Sequence, residues 1–137
     1  MTSSCYRRKR LFVSAQRARV LIDEFVRLAS EKTCKNLAFV VMPDHFHWLV
    51  QLADEVSLSE VVRLLKGRSA RVLNQGRVSA KRTWQPGFHD HAVRREEDIE
   101  AVANYLIQNP LRAGLVESRD EYPFWWSVWH PRTGCRG

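Results

Sequence analysis

His45 and His47, one residue apart in the stretch MPDHFHW, are the residues best placed for chemistry in this chain. In an extended strand, side chains at i and i+2 project from one face, so the two imidazoles stand side by side. Neutral imidazoles that close can share one divalent cation, provided a third ligand comes from another element. Two half-exposed histidines with no special role fit the same spacing equally well. A nucleophile and an oxygen ligand can be sought in NYLIQNP, where Tyr105 and Asn109 are four apart and Gln108 is three from the tyrosine. On a helix these share a face. Taken alone, Tyr105 reads as a boundary tyrosine that packs its ring and wets its hydroxyl. A second pair, His89 and His91 in FHDHAV, competes with the first by spacing but encloses Asp90 instead of an apolar residue.

The elements that must position these groups are legible in the apolar pattern. Ala18, Leu21, Phe25, Leu28 and Ala29 recur at helical spacing after Ser14, a plausible N-cap. LAFVVM at 37–42 is an apolar run of strand length, and Met42-Pro43-Asp44 turns the chain. From 45 to 52 the residues alternate: Phe46, Trp48, Val50 and Leu52 on one face, His45, His47, Leu49 and Gln51 on the other. The two segments predict an antiparallel hairpin. Ser57 and Glu60 form a capping-box pattern that opens a second helix running toward Gly76. WQPGFHDHAVR at 84–94 predicts a turn and a short strand. A third helix is expected over 95–109, acidic in its first turn, with Ile99, Val102, Ala103 and Leu106 on its buried stripe, until Pro110 breaks it. The aromatic tail, about 118–137, carries too much apolar surface to stay in water, and should fold back. Helix, strand, strand, helix, strand, helix lacks only an opening strand to be a ferredoxin-like α+β fold: an antiparallel sheet with helices packed on one face.

Bulk properties narrow the partners. With 137 residues, 45% hydrophobic and 27% charged, the chain has the size and composition of one globular domain, 1–137. A formal net charge of +7 and a pI near 9.8 point to polyanions, nucleic acid first. No apolar stretch reaches the roughly 20 residues that cross a bilayer, and no secretory leader pattern opens the chain. Cys5, Cys34 and Cys135 are odd in number and in no metal-binding spacing, so free thiols in a reducing, cytoplasmic setting are expected. A zinc-stabilised structural role is disfavoured, because no cysteine falls near either histidine pair.

VVMPDHFHWLVQL, LLKGRSARVLN, WQPGFHDHAVR and YLIQNPLRAGLV, in that order and spacing, resemble the REP-associated tyrosine transposases. These belong to the HUH class of single-tyrosine transposases, and the resemblance covers roughly residues 6 to 129. It implies a metal-dependent nuclease and strand transferase acting on single-stranded or hairpin-forming DNA through a 5′-phosphotyrosine. His45 and His47 match the motif histidines that ligate a divalent ion, Mg²⁺ or Mn²⁺. Tyr105 matches the attacking tyrosine, and the polar residue one turn later points to Asn109, with Gln108 second. In the resemblance His89 and His91 align outside the metal site, in a structural or DNA-contacting position. Lys66, Arg68, Arg71, Arg94, Arg95 and Arg112, set beside these motifs, read as a track for a DNA strand. Trp84 or the tail tryptophans are candidates for base stacking, with Trp125, Trp126 and Trp129 better assigned to the core. A homodimer is compatible with the class. Family members open with a strand that here is missing or reduced to a stub, so the alternative is a shortened, catalytically decayed relative that binds structured nucleic acid without cutting it.

Overall fold

The computed structural model describes residues 1–75, 82–93 and 96–130; Arg94, Arg95 and Cys135, as well as the end of the tail, lie outside the described residues. Its elements run β1 (Thr2–Ser4), α1 (Ala15–Ser30), β2 (Cys34–Met42), β3 (His45–Leu52), α2 (Leu58–Leu73), α3 (Glu96–Ile107), α4 (Asn109–Arg112) and β4 (Trp125–Ser127). The strands form one antiparallel sheet in the order β1-β3-β2-β4.

The opening strand is present as a three-residue stub, paired with β3 so that Thr2 stands opposite His47. Its outer edge is covered as well. The Thr2 and His89 backbones exchange two hydrogen bonds (2.7 and 2.9 Å), and Gln85 N donates to Ser4 O at 2.9 Å. The segment from 84 to 89 therefore lies where the last strand of a ferredoxin-like sheet would be, and the stub is interior. Polar residues suffice there because hydrogen bonds, chiefly of the backbone, and not apolar packing hold the strand.

The helix caps fall where the sequence puts them. Ser14 Oγ accepts from Arg17 N at 3.4 Å, and Ser57 Oγ accepts from Glu60 N at 3.2 Å. Helices α1 and α2 cover one face of the sheet. Phe25 is the hub there: its ring centroid lies 4.7 Å from Phe39, 4.9 Å from Trp48 and 5.6 Å from Phe46. Such aromatic pairs add about 0.5–1.5 kcal/mol each beyond burial. Buried Asn36 ties the same layer together, accepting from Trp48 Nε1 (2.8 Å) and donating to Phe25 O (2.9 Å).

The expectation of helices on one face needs correction for α3, which lies across the opposite face, against β2, β3 and β4. The cause is β2 itself. Phe39 and Val41 face α1, so Ala38, Val40 and Met42 face the other way and need cover. Ala103, Leu106 and Ile107 of α3 provide it, with Tyr122 and Trp125 from the tail. An uninterrupted apolar strand is buried on both sides. The tail folds back as anticipated and adds a strand: β4 pairs with β2, and Tyr122 Oη donates to Val41 O at 2.6 Å. Trp84 is no base-stacking platform. It is 6% exposed, packed on Phe12 and Phe46, and its Nε1 donates to Ser69 Oγ at 3.0 Å.

Candidate active site

Cross-strand pairing decides which way the histidines point. His45 stands opposite Met42 and His47 opposite Val40, so both share the face that α3 covers. Phe46 and Trp48, opposite Val41 and Phe39, go to the α1 face. The two imidazoles are edge to face, with ring centroids 4.9 Å apart.

Each ring has one nitrogen tied to an oxygen. His45 Nδ1 lies 2.6 Å from Asp44 Oδ1, and His47 Nδ1 lies 2.7 Å from Thr2 Oγ1. Burial would raise the Asp44 carboxyl, but the His45 hydrogen bond and the Arg8 guanidinium, 3.0 Å away, hold it below the usual value. His47 is pushed down to about 4, first by burial, then by the positive charges it would face from His45, the N-terminus and Arg112. His47 is therefore neutral at pH 7, the form that binds a metal. A histidine whose Nδ1 is held by a hydroxyl or carboxylate offers Nε2 outward, the usual arrangement around a metal-binding imidazole. The donor set thus fits a divalent cation at His45 and His47. Among the described residues no three His, Cys, Asp or Glu side chains gather into a metal site.

Helix α3 ends at Ile107, and Asn109 begins α4, with Pro110 in its first turn. Asn109 Nδ2 donates to Leu106 O at 2.9 Å, which anchors the amide nitrogen and orients the carboxamide; Gln108 is exposed. Tyr105 projects from α3 on its solvent side, 67% exposed, so its hydroxyl is not sunk in the core. The Arg112 guanidinium sits 3.6 Å from the centre of its ring. Arg112 is also the last of the positive charges that lower His47.

The rest of the expected basic track is dispersed. Lys66 on α2 donates to the backbone carbonyls of Gln85 and Gly87, pinning that loop. Arg68 pairs at 2.6 Å with Glu31, the C-cap of α1. Arg71 is exposed on the same helix. All three belong to the helical layer on the face opposite the histidines, whereas Arg112 lies on α4, stacked on Tyr105. His89 is exposed and engaged through its backbone with Thr2, and His91 lines a groove of about 930 Å³ with Asp90 and Ile99. The residues the motif reading missed are Thr2 and Asp44. Asp44 adjoins the histidines in PDHFH and was discoverable; Thr2 carries no signal, because its partner is 45 positions away.

The fold thus sets an H-x-H strand in an antiparallel α+β sheet beneath the helix that carries Tyr105. Residues 1–109 match the family described as IS200-like transposases, and the chain belongs to that family. It is 28% identical over 120 residues to the REP-associated tyrosine transposase of Escherichia coli strain K12, covering 86% of this chain and 67% of the relative. A Haemophilus influenzae protein provisionally named for the same group is 28% identical over 118 residues, covering 75% of this chain and 66% of that one. The chain thus spans about two thirds of these relatives' length. Among solved structures, a REP-associated tyrosine transposase bound to a REP hairpin superposes with a TM-score of 0.77 at 24% identity, over 90% of this chain and 72% of that one. The expected antiparallel α+β fold, apart from the placement of α3, and the resemblance to the REP-associated group are both borne out.

Proposed function

We propose that this protein nicks and rejoins single-stranded DNA that carries a hairpin, with Tyr105 as nucleophile. One observation supports the reading: His45 and His47 stand side by side, with ring centroids 4.9 Å apart, on the sheet face against which α3, the helix that carries Tyr105, packs. The hairpin substrate is suggested by the solved relative, which is bound to a REP hairpin.

In this reading His45 and His47 hold a divalent ion, Mg²⁺ or Mn²⁺, through Nε2, with Asn109 or Gln108 adding an amide oxygen. When bound, the ion supplies charge stabilisation to the non-bridging oxygens of the scissile phosphate. Thr2 and Asp44 keep the two imidazoles in the tautomers that present Nε2. The Tyr105 phenol gives up its proton and its oxygen bonds to phosphorus, while the bond from phosphorus to the 3′ oxygen breaks. The leaving 3′ oxygen takes up a proton. The products are a 5′-phosphotyrosine and a free 3′ hydroxyl, and because the new ester conserves the energy of the old one, a 3′ hydroxyl can reverse the step. Arg112 holds the phenol ring by a cation–π contact and adds a positive charge where a phosphate must dock.

The test is incubation of labelled hairpin DNA with the protein and Mn²⁺. A covalent protein–DNA adduct that vanishes in Tyr105→Phe supports the enzyme. DNA binding with no adduct in the unaltered chain would instead identify a decayed relative that only binds.

A further inference from the structure

The chain around residues 6–9 is strained and basic. Arg7 (φ 54°) and Arg8 (φ 55°) are both left-handed, and the turn is closed by Arg8 N to Cys5 O (2.9 Å) and Lys9 N to Tyr6 O (3.3 Å). Consecutive positive φ angles are ordinarily left to Asn-Gly and similar pairs, because a Cβ crowds the backbone there. This turn is held in place from outside. Cys5 N donates to Asp44 O at 2.8 Å, Tyr6 N to Thr83 O at 2.9 Å and Phe12 N to Pro43 O at 2.9 Å. A backbone kept in an unfavourable conformation by its surroundings commonly marks a functional segment.

Behind the turn is a cavity of about 140 Å³, between the start of α1 and the end of α2, where Lys9, Arg17 and Arg82 converge beside Asn74 and Thr83. Among the described residues none of these three cations meets a carboxylate, whereas Arg8 is paired with Asp44 and Arg68 with Glu31. Cations gathered without a counter-charge repel one another, and an anion bound between them relieves that cost. At about 30 Å³ per water the cavity holds roughly five waters, room for a phosphate group. Arg82 and Thr83 also line a groove of about 580 Å³ along α2, which contains Arg63, so a chain gripped at the cavity has a continuous path onward.

We propose that the Lys9, Arg17 and Arg82 pocket is a site for one backbone phosphate of bound DNA, separate from the His45, His47 and Tyr105 centre. The proposal rests on the DNA reading given above and deepens it. The pocket sits in the layer of α1 and α2, away from α3, so it grips the substrate and takes no part in bond making. Such contacts supply affinity and register without reading sequence.

The experiment is fluorescence anisotropy of labelled hairpin DNA with the full chain across a salt series, alongside adduct formation at saturating DNA. Arg17→Gln with Arg82→Gln should weaken binding about tenfold and flatten the slope of log K against log salt by roughly 0.7–0.9, the value of one lost phosphate contact. The adduct rate at saturation stays unchanged, and Arg17→Lys with Arg82→Lys restores the slope. Lys35→Gln, an exposed cation elsewhere, is the control. An equal loss in the control, or an unchanged slope in the double variant, overturns the pocket. Inorganic phosphate binding by calorimetry with an unchanged DNA slope also overturns it, leaving a free-anion site. If the unaltered chain binds no hairpin at all, the DNA reading falls and the pocket with it. If it binds and forms the adduct while the double variant behaves identically, the pocket alone falls.

Discussion

Arg112 lies with its guanidinium 3.6 Å from the centre of the Tyr105 ring, seven positions back along the chain, across the break between α3 and α4. On an uninterrupted helix the side chain at 112 would continue the stripe of Tyr105; the break at Asn109-Pro110 instead folds it over the ring. A cation–π contact at an exposed site is worth about 0.5–1 kcal/mol, enough to bias the ring without locking it.

Arg112→Gln is therefore expected to slow single-turnover adduct formation by about 3–30-fold, combining the lost ring contact with the lost charge. It should also flatten the salt dependence of DNA binding by about one unit. Arg112→Lys keeps the charge but not the planar stack, and should recover the salt slope more fully than the rate. Rapid-quench assays beside anisotropy measure both quantities.

Thr2→Val removes the oxygen that holds His47 Nδ1 at 2.7 Å. Loss of such an outer partner typically weakens metal binding about 10–100-fold. Calorimetric titration with Mn²⁺ should show that loss, with Thr2→Ser restoring most of it. Affinity unchanged in the valine variant would show that the hydroxyl does not position the ring.

Asn36→Ala deletes the acceptor for buried Trp48 Nε1 and the donor to Phe25 O. An orphaned donor in the core, with a cavity beside it, costs about 2–4 kcal/mol. The urea midpoint should fall accordingly, with little change in the slope of the transition. This asparagine works between β2, β3 and α1, far in role from the chemistry, so the adduct rate at a permissive temperature should survive.

Alkaline pH should destabilise the fold. Burial raises the Cys5 thiol to about 12 and pushes Cys34 upward as well, and it raises the Tyr122 phenol to about 12. The unfolded chain loses the Cys5 proton near pH 9 and the Tyr122 proton near pH 10, while the folded chain keeps both until about 12. Between these limits the unfolded state binds fewer protons, so stability falls as pH rises, by at most about 1.4 kcal/mol per pH unit for each group. Melting temperature measured from pH 8 to 11 should decline, and Cys5→Ala should make that decline shallower. In the folded protein at pH 8, Cys5 should resist iodoacetamide.

Much of the architecture was readable because its determinants are local. Ser14 and Ser57 cap the helices they precede, the Met42 to His45 turn closes the hairpin, and alternation from 45 to 52 sorts Phe46 and Trp48 from the histidines. What eluded the sequence is non-local. Periodicity shows that α3 has a buried stripe but not which sheet face receives it; the unbroken run at 37–42 was the clue that both faces needed cover. β1 is three polar residues held by backbone bonds to β3 and to the 84–89 segment, so no apolar signal marks it. Lys66 and Arg68 look like free cations in a list of residues, yet each is committed to a partner 19 or more positions away.

The edge of β2 is finished by β4, more than eighty residues downstream, together with Val128 N bonding to Leu37 O. During synthesis, then, the hairpin that carries the histidines emerges long before its neighbour does, with a row of bare amides and carbonyls on a strongly apolar strand. Until residue 128 has left the ribosome that row is open to any other nascent strand, so a stop codon upstream of Trp125 should yield aggregates rather than a smaller folded protein.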